Sequence, residues 1–165
     1  MHLRSAFAAV LLAACTGDDD AATPPPETST TTEVPGDAAG MNAWLHTKAY
    51  ASWPKESAAH PSTGPHASSV LTFVNPTLEA SLEAGAAEHP EGSAAVKEFL
   101  RDGEVTGWAA YVKTKPASEG GGGWYWYETF DVTPGRHSIE GQGKPLCAGC
   151  HAGGKDFVLT PFPLR

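Results

Sequence analysis

From about residue 41 onward, the apolar residues follow two patterns, one typical of helices and one typical of strands. Apolar positions three and four apart predict one helix over 41–53, before Pro54, and a second helix over 76–88. Runs rich in β-branched and aromatic residues, separated by turn residues, predict four strands over 68–75, 93–100, 104–115 and 124–132. The pattern therefore predicts one α+β domain over 41–165, a small, mostly antiparallel β-sheet with short flanking helices.

The strand predicted over 93–100 contains two charged residues, Lys97 and Glu98, that could take part in chemistry. The alternation of side chains along a strand places them on opposite faces. Lys97 shares a face with Ala95 and Phe99, whereas Glu98 points to the opposite face. A lysine is usually solvated at a surface or a sheet edge, and composition alone favours that interpretation. The apolar neighbours of Lys97 favour the other interpretation, a lysine that faces a site inside the domain.

The N-terminal part of the chain differs in composition from the rest. A positive charge at Arg4 precedes a short apolar run, and LAAC at 12–15 is similar to the bacterial lipobox. This pattern predicts a lipoprotein signal peptide over 1–14 and lipidation of Cys15, the alternative being an ordinary signal peptide with a chance cysteine. Residues 15–40, rich in Pro, Thr, Ala and acids, predict a disordered linker. The expected location is the periplasmic side of a bacterial cell envelope, with a lipid anchor in a membrane.

Charge and hydropathy argue against a nucleic-acid partner and against a membrane-spanning helix after the predicted signal peptide. The formal net charge is -8, and much of the acidity lies before residue 41. The sequence contains no basic patch that could neutralise phosphates, so a nucleic-acid partner is not expected. After the predicted signal peptide, no stretch approaches the roughly 20 apolar residues that a membrane-spanning helix requires.

The sequence CAGCH, residues 147–151, has the spacing of a c-type haem attachment signature. Cys147 and Cys150 lie three positions apart, so one helical turn directs both thiols to a haem edge, and His151 follows as the proximal ligand of the iron. Zinc would need two more good ligands, and a redox disulfide would lack its usual βαβ setting. One covalently bound haem c is therefore predicted, in a C-terminal attachment segment. With lipid on Cys15, all three cysteines are then used.

The second axial position of that iron has no obvious ligand. Met41 is the one methionine after Met1, and its place at the linker boundary disfavours a His/Met electron carrier. Five other histidines of the domain are candidates: His46, His60, His66, His89 and His137. Solvated imidazoles are the more ordinary interpretation of loop histidines, so an open distal site is predicted. The alternative is a six-coordinate cytochrome c that only transfers electrons.

Five stretches in order resemble the cytochrome P-460 family, over about residues 70–165: LTFVNPTLEASL, GSAAVKEF, GWAAYVK, GGWYWYETF, and CAGCH with KDFVLTPF. The resemblance implies a small antiparallel-sheet c-type cytochrome with His151 as proximal ligand and an open distal face. The enzymes of this family oxidise hydroxylamine and carry a lysine covalently joined to a porphyrin carbon. Lys97 falls on the position of that lysine.

Two departures from the enzymes change the expected chemistry. Ala109 stands where they carry a distal glutamate, and Val70 stands where they carry an arginine. A positioned carboxylate typically contributes about 10²–10⁴-fold as a general base, so Ala109 argues against hydroxylamine oxidation. Glu98 is the nearest carboxylate in sequence, but the pleat directs it away from Lys97. The distal face is thus predicted to be apolar and uncharged.

An apolar distal face is similar to that of the non-enzymatic branch, the cytochrome c′-beta proteins, which bind nitric oxide. Val70, Thr72 and Ala109 are the candidates for its wall, with ordinary core as the alternative. The predicted function is binding or conversion of small nitrogen oxides, namely nitric oxide, and hydroxylamine if Lys97 is cross-linked to haem. An unidentified electron-transfer partner and a homodimer through a sheet edge are also expected. The aromatic residues at 124–127 are predicted to be core.

Overall fold

The computed structural model describes residues 33–165. The predicted signal peptide over 1–14, the lipidation site Cys15 and most of the linker over 15–40 lie outside the described residues. Within residues 33–165, no helix combines the length and the apolar character that crossing a membrane requires.

Three α-helices and six strands form the regular structure of residues 33–165. The helices are α1 (Ala38–Thr47), α2 (Pro76–Glu83) and α3 (Pro145–His151). The strands are β1 (His60–Pro61), β2 (Ser69–Val74), β3 (Ala94–Arg101), β4 (Glu104–Lys113), β5 (Trp124–Thr129) and β6 (Ile139–Gln142). They form one sheet in chain order, and every neighbouring pair is antiparallel. The prediction of a small α+β domain built on an antiparallel sheet is confirmed.

Helix α1 replaces the longer helix predicted over 41–53. It begins earlier because the side chain of Asp37 caps it and accepts the N–H of Gly40 at 2.9 Å. It ends earlier because Lys48 takes a left-handed φ of +54°, after which Ala49–Ser52 form a separate 3₁₀ turn. Capping and backbone geometry therefore set both ends, whereas apolar periodicity does not.

Other boundaries also differ from the predicted ones. Helix α2 is shorter than 76–88, because Gly85 takes a positive φ of 64° soon after the last helical residue. Strands β4 and β5 end at Lys113 and Thr129, before the predicted residues 115 and 132. The sequence pattern does not predict β1 and β6, because two and four residues are too few to show a period.

Both faces of the sheet are covered. On the first, called the α1 face, α1 and the 3₁₀ turn contribute Met41, Trp44, Leu45 and Tyr50 to a core with residues of β2 to β5. On the second, called the α3 face, α2, α3 and the C-terminal segment pack on the sheet around Val74, Leu78, Ala95, Tyr111, Trp124, Trp126 and Val158.

Strand β5 supplies aromatic side chains to both cores. Trp124 and Trp126 lie on the α3 face, whereas Tyr125 and Tyr127 lie on the α1 face. All four residues are buried, which confirms the prediction that they are core residues. Their alternation also fixes which face each later residue of β5 must take.

Asn75 joins the start of α2 to the sheet. Its Oδ1 accepts the N–H groups of Leu78 at 2.9 Å and Ala94 at 3.0 Å, and its Nδ2 donates to the carbonyl of Gly92 at 2.7 Å. We expect Asn75→Ala to lower the free energy of unfolding by about 2–4 kcal/mol, because it removes a helix cap and leaves a buried N–H unpaired. Urea unfolding measures this loss. The exposed Thr77→Ala in the same turn is the control, and equal losses in the two variants would contradict this role.

Candidate functional site

A row of side chains crosses the sheet on the α3 face. Thr72 of β2 lies opposite Lys97 of β3, Lys97 opposite Ala109 of β4, and Ala109 opposite Glu128 of β5. Side chains opposite one another on antiparallel strands point to the same face. The structure therefore brings Thr72, Lys97 and Ala109 together on one face. Val70 lies two residues along β2, on the same face.

The amine of Lys97 lies in a poorly solvated environment. Its side chain is partly buried, and among residues 33–165 it forms no ion pair. Burial lowers the pKa of Lys97, although the charges of Glu56 and Glu128 act to raise it. A lowered pKa favours the neutral amine, which is the nucleophilic form. This environment favours a lysine that faces a site over a solvated surface lysine.

Glu128 adds a carboxyl group to the face of Lys97 and Ala109, the face that is expected to be apolar and uncharged. The residue is 9% exposed and lies one strand beyond Ala109 on the row that contains Lys97. Nδ1 of His66 pairs with Oε2 of Glu128, and the His66 ring stacks on Phe99. Ala109 indeed supplies no carboxylate, but the register between β4 and β5 brings one to the same face from the neighbouring strand.

The period of β5 is the sequence signal that identifies Glu128. In WYWYET, the alternation that places Trp124 and Trp126 on the α3 face places Glu128 there as well. An acid in an otherwise aromatic, fully buried strand needs a partner or a function, because an unpaired buried charge is costly. Attention to the four aromatic residues alone misses the acid that follows them.

Glu98 lies on the α1 face, as the pleat predicts. The hydroxyl of Tyr50 donates to its Oε1 at 2.8 Å, and Nε1 of Trp108 donates to the same hydroxyl oxygen at 2.8 Å. Glu98 is also 9% exposed, so it matches Glu128 in residue type and burial. The two acids differ in the face on which they lie: Glu98 is hydrogen-bonded within the core of the α1 face, whereas Glu128 lies on the α3 face.

His151 ends α3 and lies over the aromatic part of the sheet. Its ring centroid is 4.7 Å from that of Trp126 and 5.6 Å from that of Tyr111, both in edge-on contacts. Nδ1 lies 2.9 Å from the carbonyl oxygen of Phe157 and can donate its proton there. Burial lowers the pKa of His151 to about 4, so the ring is neutral at pH 7. In this tautomer Nε2 carries a lone pair, which is the form of imidazole that binds a metal ion.

Cys147 and Cys150 lie on the same helix as His151, one turn apart, and both are free thiols. Cys147 is partly buried and packs against the α3 core, whereas Cys150 is exposed. Burial first, and then the charge of Glu128, raises the pKa of the Cys147 thiol to about 11. Both thiols and the imidazole therefore project from one short helix beside the row that contains Lys97 and Glu128.

Two local features place this helix. Pro145 occupies its first turn, where the missing N–H costs nothing and the fixed φ suits a helix. Gly121, in the turn before β5, allows close approach: a Cβ there would lie 2.5 Å from the Cβ of Ala148, and its φ is +81°. The glycine-rich turn is thus a contact surface for α3 as well as a connection between strands.

The other candidate ligands of the iron lie in different places. Met41 is buried in the core of the α1 face. Four of the histidines contact other partners: His46 with Trp108, His60 with Glu56, His89 with Ser81 and His137 with Tyr127. His66 is the one of the five whose ring the described structure places against His151, with centroids 6.3 Å apart. It is therefore the best candidate for a second axial ligand.

These residues fit a covalently bound haem c. Two thiols and an imidazole project from one helix, and the imidazole is held through Nδ1 with Nε2 left for a metal. Among residues 33–165, no group of three or more His, Cys, Asp or Glu side chains is arranged to hold a metal ion alone. A zinc site at Cys147 and Cys150 therefore finds no complete ligand set in that part of the chain.

No protein-family model and no curated protein matches this chain. The likeness to the cytochrome P-460 family therefore stays a prediction that rests on the five sequence stretches. Function has to be argued from the site, because a fold alone does not determine chemistry.

Proposed function

We propose that the chain is an exported, lipid-anchored mono-haem c-type cytochrome of the P-460 type with an open distal site. It binds or converts small nitrogen oxides, chiefly nitric oxide and also hydroxylamine, and exchanges electrons with a partner. The observation that carries this proposal is that the histidine of CAGCH lies against the face of Lys97. The ring of His66 is 6.3 Å from that of His151, and its Nδ1 pairs with Glu128, which shares the face of Lys97. Lys97 and Glu128 lie near enough to His151 for their charges to affect its pKa.

The attachment residues have distinct roles in this proposal. Haem, when bound, supplies an iron that takes up small nitrogen oxides and exchanges single electrons. Cys147 and Cys150 would hold it through thioether bonds, and Nε2 of His151 would bind the iron. Lipid on Cys15, outside the described residues, anchors the domain to a membrane.

The apolar part of the row favours a small, uncharged ligand. Val70 and Thr72 are buried and Ala109 is partly buried on the face that carries Lys97. Nitric oxide is a neutral diatomic molecule whose binding requires no proton transfer, so an apolar wall suits it.

Oxidation of hydroxylamine also requires a group in the site that accepts protons. Its oxidation releases protons as electrons leave, and a positioned base is then worth about 10²–10⁴-fold in rate. Glu128 paired with His66 supplies a carboxylate and an imidazole on the required face. Hydroxylamine therefore remains a candidate substrate although position 109 is alanine.

Lys97 is the candidate for a covalent bond to the porphyrin. Its partly buried amine has a lowered pKa because of burial, which favours the neutral nucleophile. A bond from Nζ to a ring carbon would replace one N–H and one C–H bond, so its formation would release two protons and would need a two-electron oxidant such as a peroxide. It would add a third covalent attachment to those at Cys147 and Cys150. A non-covalent Lys97 would still border the ligand site.

His66 supports a second candidate function, a six-coordinate cytochrome that only transfers electrons. Its ring contacts that of His151, and its pairing with Glu128 through Nδ1 leaves Nε2 available as a ligand. The same pairing is the reason to prefer the open site, because it already gives His66 a protein partner.

The optical spectrum of the ferrous holoprotein, recorded before and after nitric oxide and combined with an intact mass, tests these proposals. A strongly red-shifted Soret band with the mass of a cross-linked haem would assign the bond to Lys97. An unshifted high-spin band that responds to nitric oxide would indicate a gas-binding cytochrome without the cross-link. A low-spin spectrum that is indifferent to nitric oxide would favour electron transfer with His66 as ligand.

A further inference from the structure

Lys113 and Asp156 form a buried ion pair between the sheet and the C-terminal segment. Nζ of Lys113, at the end of β4, lies 2.5 Å from Oδ2 of Asp156, and the two side chains are 1% and 2% exposed. The backbone N–H of His89 donates to the same oxygen at 2.8 Å. Burial acts to raise the pKa of Asp156, but the hydrogen bonds it accepts hold that pKa below its usual value. Asp156 is therefore a charged anchor inside the protein.

This anchor lies in a turn with an unusual backbone. Asp156 and Phe157 have φ values of +45° and +67°, in the left-handed region that residues with a Cβ rarely adopt. Such residues persist only where the surroundings hold them. The carboxylate of Asp156 provides the hold, because Lys113 ties it to a central strand of the sheet.

The strained turn determines where one carbonyl group points. The carbonyl oxygen of Phe157, the residue after Asp156, is the acceptor for Nδ1–H of His151 at 2.9 Å. A neutral imidazole carries one N–H, so a proton held on Nδ1 leaves the lone pair on Nε2. The contact also fixes the orientation of the His151 ring relative to α3.

We propose that Lys113 and Asp156 are positioning residues for His151. Through the turn at Phe157 they hold the proximal imidazole in the Nδ1–H tautomer and tune its strength as a donor to the iron. This inference rests on the proposed haem function, and it assigns to that function two residues that lie outside the CAGCH sequence.

A purely structural role explains the pair less well. Replacing a buried ion pair by apolar residues of similar volume is often neutral or stabilising, so the pair is a poor device for stability alone. Partners that orient a metal-binding histidine, in contrast, typically change affinity or activity by about 10–100-fold when they are removed. Asp156 immediately precedes Phe157, and the carbonyl oxygen of Phe157 accepts the hydrogen bond from His151. This short path favours the positioning role.

Resonance Raman spectroscopy of the ferrous holoprotein tests this role through the stretching band of the iron–histidine bond. We expect Asp156→Ala to move the band to lower frequency and to raise the reduction potential, because a weaker hydrogen bond at Nδ1 makes the imidazole a poorer donor. Asp156→Ala leaves Lys113 buried without a partner and risks unfolding. The double variant Lys113→Met with Asp156→Ala removes both charges and should show the same shift.

The control is Tyr125→Phe, which removes the hydrogen bond of a buried tyrosine to Glu140 on the α1 face. It should leave the band unchanged. A wild-type band in both folded Asp156 variants would overturn the positioning role and leave the proposed function intact. Absence of covalent haem from the mass of the wild-type protein would instead refute the proposed function.

Discussion

A double variant, Cys147→Ala with Cys150→Ala, should leave the purified protein without any covalently bound haem. Each thioether bond uses one thiol, and the described residues offer no free cysteine other than these two. The expected change is complete: the intact mass falls to that of the polypeptide, and the Soret band disappears after denaturation and extraction. Expression of the full chain in a host that matures c-type cytochromes, followed by intact mass measurement, checks this result.

The matched control for this variant is Leu146→Ala on the same helix. Leu146 is 62% exposed and precedes Cys147, so its loss should not disturb the packing of α3. We expect this variant to keep its haem. A double cysteine variant that still carries covalent haem on a peptide other than that of Lys97 would contradict the assignment of CAGCH. A wild-type protein that carries zinc or a 147–150 disulfide would replace that assignment.

Local periodicity predicts the part of the site that lies within single strands. The alternation that places Lys97 with Ala95 and Phe99 is a property of an eight-residue strand, and the structure confirms it. The same rule places Glu98 on the opposite face. Single-strand patterns work here because both faces of the sheet are covered, so every position must suit one core or the other.

Register between strands is the part that the sequence pattern does not predict. Whether Glu128 meets Ala109 depends on the turn between β4 and β5, where a one-residue change in pairing would send the acid to the α1 face. The connection there includes a 3₁₀ turn at Glu119–Gly121 with two glycines of positive φ, so its length alone does not fix the pairing. The alternation within β5 indicates the face of Glu128, but its place beside Ala109 follows only from this register.

Contacts between distant segments are even less accessible from the sequence. Lys113 and Asp156 are separated by 43 positions, and although each lies in a stretch that resembles the cytochrome P-460 family, neither stretch shows that the two residues pair. Their pairing appears only when the C-terminal segment folds back over the end of β4. The helix ends show the same limit, since the left-handed φ of Lys48 is not encoded by a glycine or a proline.

Replacing Glu128 by glutamine should lower kcat/KM for hydroxylamine oxidation by about 10²–10⁴-fold, if the wild-type protein turns over hydroxylamine. The amide keeps the size of the side chain but cannot accept a proton, and it removes the charge that pairs with His66. Binding of nitric oxide to the ferrous protein requires no proton transfer, so its affinity should change by less than about tenfold, or about 1.4 kcal/mol. Steady-state turnover and a nitric oxide titration of the same preparation measure both effects.

Glu98→Gln is the matched control, because Glu98 has the same residue type and the same 9% exposure on the opposite face of the sheet. It replaces the carboxylate that accepts the hydroxyl of Tyr50 by a neutral amide oxygen, a weaker acceptor, and should therefore lower stability while leaving turnover within a few-fold. A Glu128→Gln protein that keeps full turnover would show that the carboxylate is structural. A fall in turnover confined to Glu128→Gln would instead identify Glu128 as the base, one strand across the sheet from Ala109 and on the face of Lys97.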